Sequence, residues 1–253
     1  MLHRLMPAAM LLVALAITAC GSSGPALTDP HEIITQGLAA TGQATSLHLA
    51  VAVTGSVTIP QTGGTFNLEG TTAAGDFDIA NDRARLTFKV PAFLSLSGEV
   101  IQVGTDSFVK TSLTGDRYTK STTSDTGVPV DPAAAIGQVG DFLDKEGVEA
   151  TKLDDVSCGD QTCYSVSLTM PSSLLGSAGD AAGVDASKFL GDTVLINLQF
   201  DRETLRLTQV SSDIDAGDAG TFGVVVTISG YNAAVEVSPP PSDQVTEGGS
   251  PQL

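Results

Sequence analysis

The chain has 253 residues, a formal net charge of −17, no tryptophan, 27 glycines and three cysteines. Such acidity excludes a nucleic-acid binder, whose phosphate contacts need clustered Lys and Arg, and offers little to draw the chain electrostatically to anionic lipid headgroups. Few aromatics with many Gly, Thr, Ser and Val fit short strands and glycine turns, and the length suits one large or two small domains.

The N-terminus has the layout of an export signal. Arg4 supplies a positive start, and Leu5 to Ile17 form an apolar run interrupted by Pro7, too short to span a bilayer comfortably. Ile17-Thr18-Ala19-Cys20 then reads as a bacterial lipobox, followed at once by Gly21-Ser22-Ser23-Gly24. Residues 1–19 are expected to be a lipoprotein signal peptide. Cys20 is expected to be diacylated, becoming the N-terminus of an exported protein on the outer face of the cell membrane. Residues 20–28 read as a flexible Ser/Gly/Pro tether.

Asp29-Pro30-His31-Glu32 signals a helix start, with Asp as cap, Pro first and Glu placed to reach back. Ile33, Ile34 and Leu38 give that helix an apolar side through about Thr41. The period then becomes two. Leu47, Leu49, Val51 and Val53 alternate with polar or small residues, as in a strand with one buried face. Phe66 with Leu68, Phe77 with Ile79, and Leu86, Phe88 and Val90 repeat the pattern between turn signals such as Asn81-Asp82. Leu94, Leu96 and Val100 are expected to share a face opposite Glu99. Gly104-Thr105-Asp106 turns into Phe108-Val109-Lys110, and Tyr118-Thr119-Lys120 follows, completing an antiparallel meander.

Asp131-Pro132 predicts a second helix, with Ile136, Val139, Phe142 and Leu143 near helical spacing and an end near Glu146-Gly147. Strands resume over Ala150–Val156 and Tyr164–Met170, with the loop Cys158-Gly-Asp-Gln-Thr-Cys163 as their turn. Outside the cytoplasm those two cysteines are expected to pair. Closing so small a loop adds about 2 kcal/mol at most, enough to pin a hairpin. The spacing is not C-x-x-C, and no histidine lies nearby to complete a zinc set. Residues 171–191 read as a helical interlude containing Leu174, Leu175, Phe189 and Leu190. Val194 to Phe200, Leu205 to Asp213, and Phe222 through Tyr231 to Val237 are the closing strands. Pro239-Pro240-Pro241 is expected to end regular structure, leaving a disordered tail over 239–253. Residues 29–238 therefore read as a single α+β domain, an antiparallel sheet with helices over its apolar face.

Chemistry is sparse. His31 falls in a helix first turn and His48 on the polar side of a strand, neither with a nucleophile in a recognisable pattern. G-x-S-x-G, H-E-x-x-H and phosphate-cradling loops do not occur. Asp213-Ile-Asp215-Ala-Gly-Asp218 lacks the register of a calcium loop and reads as a solvated hairpin turn. No enzyme activity, cofactor or metal is expected. What stands out is a broad apolar sheet face set against short, glycine-broken helices. A cavity between the layers and a fully packed core fit that pattern equally.

The order of parts resembles the LppX/LprAFG family of actinobacterial lipoproteins. The resemblance is carried by the lipobox, the capped helix, Phe108-Val109-Lys110 with Tyr118-Thr119-Lys120, Asp131-Pro132, Leu205 to Val210, and Thr227-Ile-Ser-Gly-Tyr-Asn232 before Val235-Glu-Val237 and proline. It implies a fold similar to the LolA/LolB carriers, a U-shaped antiparallel half-barrel with helices across its concave apolar face. It also implies a cavity for an acylated lipid or glycolipid, moved or presented in the cell envelope, with an envelope transporter as a possible partner. By position, Leu86, Phe88 and Val90 match the strand lining that cavity. Ile136, Val139, Phe142 and Leu143 match the helix over it, and Phe189 and Leu190 the second cover. The Cys158–Cys163 pair is not a fixed feature of the family. The rival expectation is an envelope sensor or scaffold of the same fold, with a protein partner on its apolar face.

Overall fold

The computed structural model describes residues 26–59, 63–122, 140–175 and 191–247. Its first element is the helix α1 (Pro30–Thr41). Asp29 keeps an extended backbone, and its Oδ1 accepts from the N–H groups of His31 (2.8 Å) and Glu32 (3.1 Å). Those donors have no partner within the helix, so the cap stabilises its start by about 1 kcal/mol. Rather than reaching back to residue 29, Glu32 accepts from Gln36 Nε2 one turn on (3.0 Å). The buried stripe is Ile33, Ile34, Gly37 and Thr41. Gly37 belongs to it for lack of a side chain. A Cβ there would overlap the Phe200 ring, so the helix lies directly on the sheet.

The sheet is one open, curved array of fourteen strands. Its long central strand is β1 (Ser46–Ile59), with the short β2 (Gly64–Asn67) paired to its far end. One meander runs outward from β1: β3 (Thr71–Asp78), β4 (Arg83–Val90), β5 (Leu96–Val103), β6 (Asp106–Thr111) and β7 (Tyr118–Thr122). On the other side lie β8 (Glu149–Lys152), β9 (Val156–Cys158), β10 (Gln161–Pro171), β11 (Thr193–Asp201), β12 (Leu207–Asp215) and β13 (Gly220–Ser229). β8 and β9 both pair with β10, and β13 closes onto β1. Cys158 and Cys163 form a disulfide across the β9–β10 turn, Cα to Cα 5.9 Å.

Strand registers sort the side chains into two faces, because directly opposed residues point the same way. Leu47, Phe77 and Ala84 share the inner face, under α1. Ile228, Leu198, Phe200, Tyr164, Val166 and Leu168 continue it across the other meander. With Ile33, Ile34 and Leu143 they form the main buried cluster.

A corner locks α1 to β12. The Thr41 hydroxyl donates to Gly37 O (2.7 Å) and accepts from Leu207 N (2.8 Å), while the Tyr231 hydroxyl donates to Leu207 O. Burial pushes the Tyr231 hydroxyl up to about 12, against smaller opposing effects of its Thr41 hydrogen bond and the Arg206 charge.

Three expectations are corrected. The last strand does not run on to Val237. β13 ends at Ser229, because Gly230 (φ 62°) and Asn232 (φ 58°) turn the chain in the left-handed region. Residues beyond the turn cross the outer face, where Val235, Val237 and Val245 pack on Ile101, Phe108 and Tyr118 as a second buried cluster. Nor does regular structure stop at the prolines. β14 (Val245–Glu247) pairs in parallel with β7, adding an edge strand in the stretch expected to be a disordered tail. The outer apolar patch supplies the reason, since it is buried only if this segment covers it. Finally, Leu94 is not on a strand face. It sits in the β4–β5 turn with φ 51°, highly exposed.

Candidate functional site

The inner face differs from one end of the strands to the other. At the end covered by α1, Leu47, Phe77, Ala84 and Ile228 are buried. Toward the other end the same face carries Val51, Val53, Phe88, Val90, Leu96, Val100, Val224 and Val226, all half-buried. Register sets them side by side: Val51 opposes both Val226 and Ala73, Phe88 opposes Ala73 and Gly98, and Val90 opposes Leu96. These residues form a continuous apolar strip across β13, β1, β3, β4 and β5.

Glycines shape this strip. A Cβ at Gly98 would lie 2.5 Å from Lys110 O and 2.6 Å from Phe88 Cζ, so the Phe88 ring reaches over β5 where that side chain is missing. A Cβ at Gly75 would lie 3.0 Å from Leu86 Cδ1, so Leu86 leans over β3 in the same way. Glycine inside a strand normally weakens it, and its usual meaning is close approach by another group. Here the nearest atoms are backbone carbonyl oxygens of the adjoining strands, Arg85 O at Gly75 and Lys110 O at Gly98 (2.5 Å), with the Leu86 and Phe88 side chains next.

Leu86 packs on the main cluster together with Phe142, and Leu143 lies within it, so the structure brings these three predicted residues together. Phe88 and Val90 share the Leu86 face but belong to neither buried cluster among the described residues. Cys20, Ile136, Val139, Phe189 and Leu190 lie outside the described residues. Residues 140–142 are helical, with Gly140 beside Leu38 of α1, which brings the segment after residue 139 onto the α1 side of the sheet. Two surface clefts lie at the margins and not on the strip. One of about 400 Å³ is lined by Gln36, Ala39 and Arg206, and one of about 350 Å³ by Phe66, Glu69 and Pro91.

Sequence reasoning did not single out Gly75, Gly98, Val51, Val53 and Val100 as lining the strip. The detectable signal was the pair of glycines set within alternating strand patterns.

The outer face of β4–β7 is different in chemistry. Glu99 accepts from the Tyr118 hydroxyl (2.6 Å) and pairs with Arg85 (2.8 Å) and Lys110 (3.5 Å). Burial, then the Glu99 hydrogen bond, hold the Tyr118 hydroxyl above its ordinary range. Among the described residues no group of His, Cys, Asp and Glu is arranged to hold a metal. The acidic stretch 213–218 spans the β12–β13 turn, where Asp215 Oδ1 accepts from Gly217 N (2.9 Å).

No family model and no curated protein matches the chain. Among solved structures, it is similar to the Mycobacterium tuberculosis lipoprotein LppX, with a TM-score of 0.54 and 18% identity, over 82% of this chain and 97% of that one. It is similar also to LprF from Mycobacterium bovis, with a TM-score of 0.56 and 18% identity, over 86% and 99% of the two chains. The expected LppX/LprAFG-type fold, an open half-barrel with few helices, is thereby shown.

Proposed function

We propose that this protein is an exported, lipid-anchored carrier that binds an acylated lipid or glycolipid on the inner face of its half-barrel and transports or presents it in the cell envelope. The observation that carries the reading is the half-buried apolar strip around Phe88 and Val90. A sheet face of this kind, continuous with a packed core yet not absorbed by it, offers apolar area that an acyl chain can cover. Each methylene removed from water contributes about 0.8 kcal/mol, so even part of one chain on the strip gives useful affinity. The likeness in fold to a lipoprotein supports the assignment of Cys20 as acylated anchor. Arg4, the short apolar run and the lipobox support export to the outer face of the cell membrane. Phe142 and Leu143 support the cover from the α1 side, and Ile136, Val139, Phe189 and Leu190 are proposed to complete it. The protein acts as a carrier and not as an enzyme, and an envelope transporter is the proposed loading partner.

The test is the lipid content of the chain from residue 20 onward, carrying Cys20→Ser and purified from an actinobacterial host. Native mass spectrometry and organic extraction should show bound acylated lipid. Val90→Trp should fill the strip and lower the lipid load with an unchanged circular dichroism spectrum. Wild-type protein that is entirely apo, yet captures an envelope protein, would replace this reading with that of a sensor or scaffold.

A further inference from the structure

At one end of the sheet, two neighbouring turns expose large apolar side chains. The β4–β5 turn presents Phe93 (54% exposed) and Leu94 (80%), and the β6–β7 turn presents Leu113 (61%). The turns are stitched together, since Ser112 N donates to Ser97 O (2.7 Å) and Ser97 N to Ser112 Oγ (3.1 Å). Leu94 and Ser95 both hold positive φ, at 51° and 54°. A leucine so exposed gains little from burial, and backbone strain of this kind clusters at functional sites.

The strands that end in these turns are richer in Lys and Arg than the chain as a whole. Between Arg83 and Lys120 there are six Lys and Arg and three Asp and Glu, in a protein of net charge −17. Registers place Arg83, Arg85, Lys89, Lys110 and Lys120 on one face, the outer one. Nearest the apolar tips are Lys89, Lys110 and Arg117. Lys89 is exposed and in no ion pair among the described residues. Lys110 shares the single Glu99 carboxylate with Arg85. Arg117 donates to neutral acceptors of β14, Thr246 Oγ1 (3.0 Å) and Val245 O (3.2 Å). Asp116 lies within these turns, and Asp243, just ahead of β14, and Glu69, beside Pro91 and Ala92, adjoin them.

An apolar tip flanked by Lys and Arg matches an anionic bilayer surface, where apolar side chains enter the headgroup region and cations meet phosphates. We propose that this rim docks on such a bilayer, Phe93, Leu94 and Leu113 inserting while Lys89, Lys110 and Arg117 contact lipid phosphates. Net acidity keeps the rest of the molecule off the surface and so orients it. The rim lies at the opposite end of the strands from Tyr164, whose hydroxyl accepts from Leu27 N (3.1 Å) where the chain enters the fold. An anchor at Cys20 would hold that opposite end, so the rim would face an apposed bilayer. Docking does not depend on a lipid bound to the inner face.

The experiment uses the chain from residue 20 with Cys20→Ser, so that no acyl anchor contributes. Phe93→Trp installs the single tryptophan of the molecule. Its emission should shift to the blue on vesicles of equal phosphatidylglycerol and phosphatidylcholine, and not on phosphatidylcholine alone. Leu195→Trp, on the outer face of β11, should not shift. In flotation assays, Lys89→Gln with Arg117→Gln should weaken binding to anionic vesicles about 30-fold, at roughly fivefold per cation. Leu94→Asp, at an exposed turn position, should abolish it. No shift on anionic vesicles, equal shifts on both vesicles, or binding indifferent to these substitutions would overturn the proposal. So would a cross-link from position 93 to another protein without vesicle binding.

Discussion

Gly37→Ala separates packing from propensity at the one contact where α1 meets the sheet without a side chain. In an isolated helix, alanine for glycine stabilises by about 1 kcal/mol. At position 37 the added Cβ overlaps the ring of Phe200, which is itself fully buried on β11. The ring is hemmed in by Leu207 across the strand pair and by Tyr164 on the other side, so it cannot swing away without displacing core. Overpacking of this size costs about 1–3 kcal/mol and commonly more for a rigid ring. The helix gain is thus outweighed, and a net loss of about 1–2 kcal/mol is expected. Urea denaturation followed by far-UV circular dichroism measures it. Phe200→Ala removes the obstructing Cγ, Cδ1 and Cε1 atoms, so the double variant should be more stable than the sum of the single effects predicts, with a coupling of about 1 kcal/mol or more. Gly37→Ala more stable than wild type, or strict additivity with Phe200→Ala, would refute close approach as the reason for glycine here.

Tyr231 predicts alkaline lability. Its folded hydroxyl ionises near 12, above the unfolded value of about 10. The unfolded state therefore releases its proton first, and stability that is complete below about pH 10 falls as pH rises toward 12. After allowance for partial solvation the loss is about 2 kcal/mol, and Tyr231→Phe should flatten that part of the stability–pH curve. Val237→Asp places an unpaired carboxylate among Ile101, Phe108 and Tyr118. It should cost about 3 kcal/mol or more, and faster amide hydrogen exchange in β7 and β14 would show that the C-terminal cover has lifted.

Much of the fold was legible because its determinants are local. Asp29 and Pro30 cap a helix by their own geometry, and Leu47 to Val53 or Leu86 to Val90 alternate because a strand has two faces. The pairing of Cys158 with Cys163 follows from their place on one hairpin. The candidate strip was legible in part: Leu86, Phe88 and Val90 share a face by periodicity alone. Which of them the core absorbs depends on where α1 lies, and that was not.

The two misread C-terminal segments have one cause in common. Val100-Ile101 and Phe108-Val109 are adjacent apolar pairs, and neighbours along a strand point to opposite faces. Such pairs call for cover on both sides, but the pattern does not say what supplies it. Here the cover is the chain after Gly230, more than a hundred residues later in sequence, ending in β14 beyond the prolines. Charge behaves likewise: the net value of −17 concealed a gathering of Lys and Arg on the outer face of β4–β7 that forms only when the strands align in register. The sequence by itself determined the helix cap, the strand periodicity and the disulfide hairpin, all set by neighbours within a few residues. Only the tertiary structure decided which face each strand buries, which glycines make room, and where like charges gather. Those depend on contacts between residues far apart in the chain, whose partners no local pattern names.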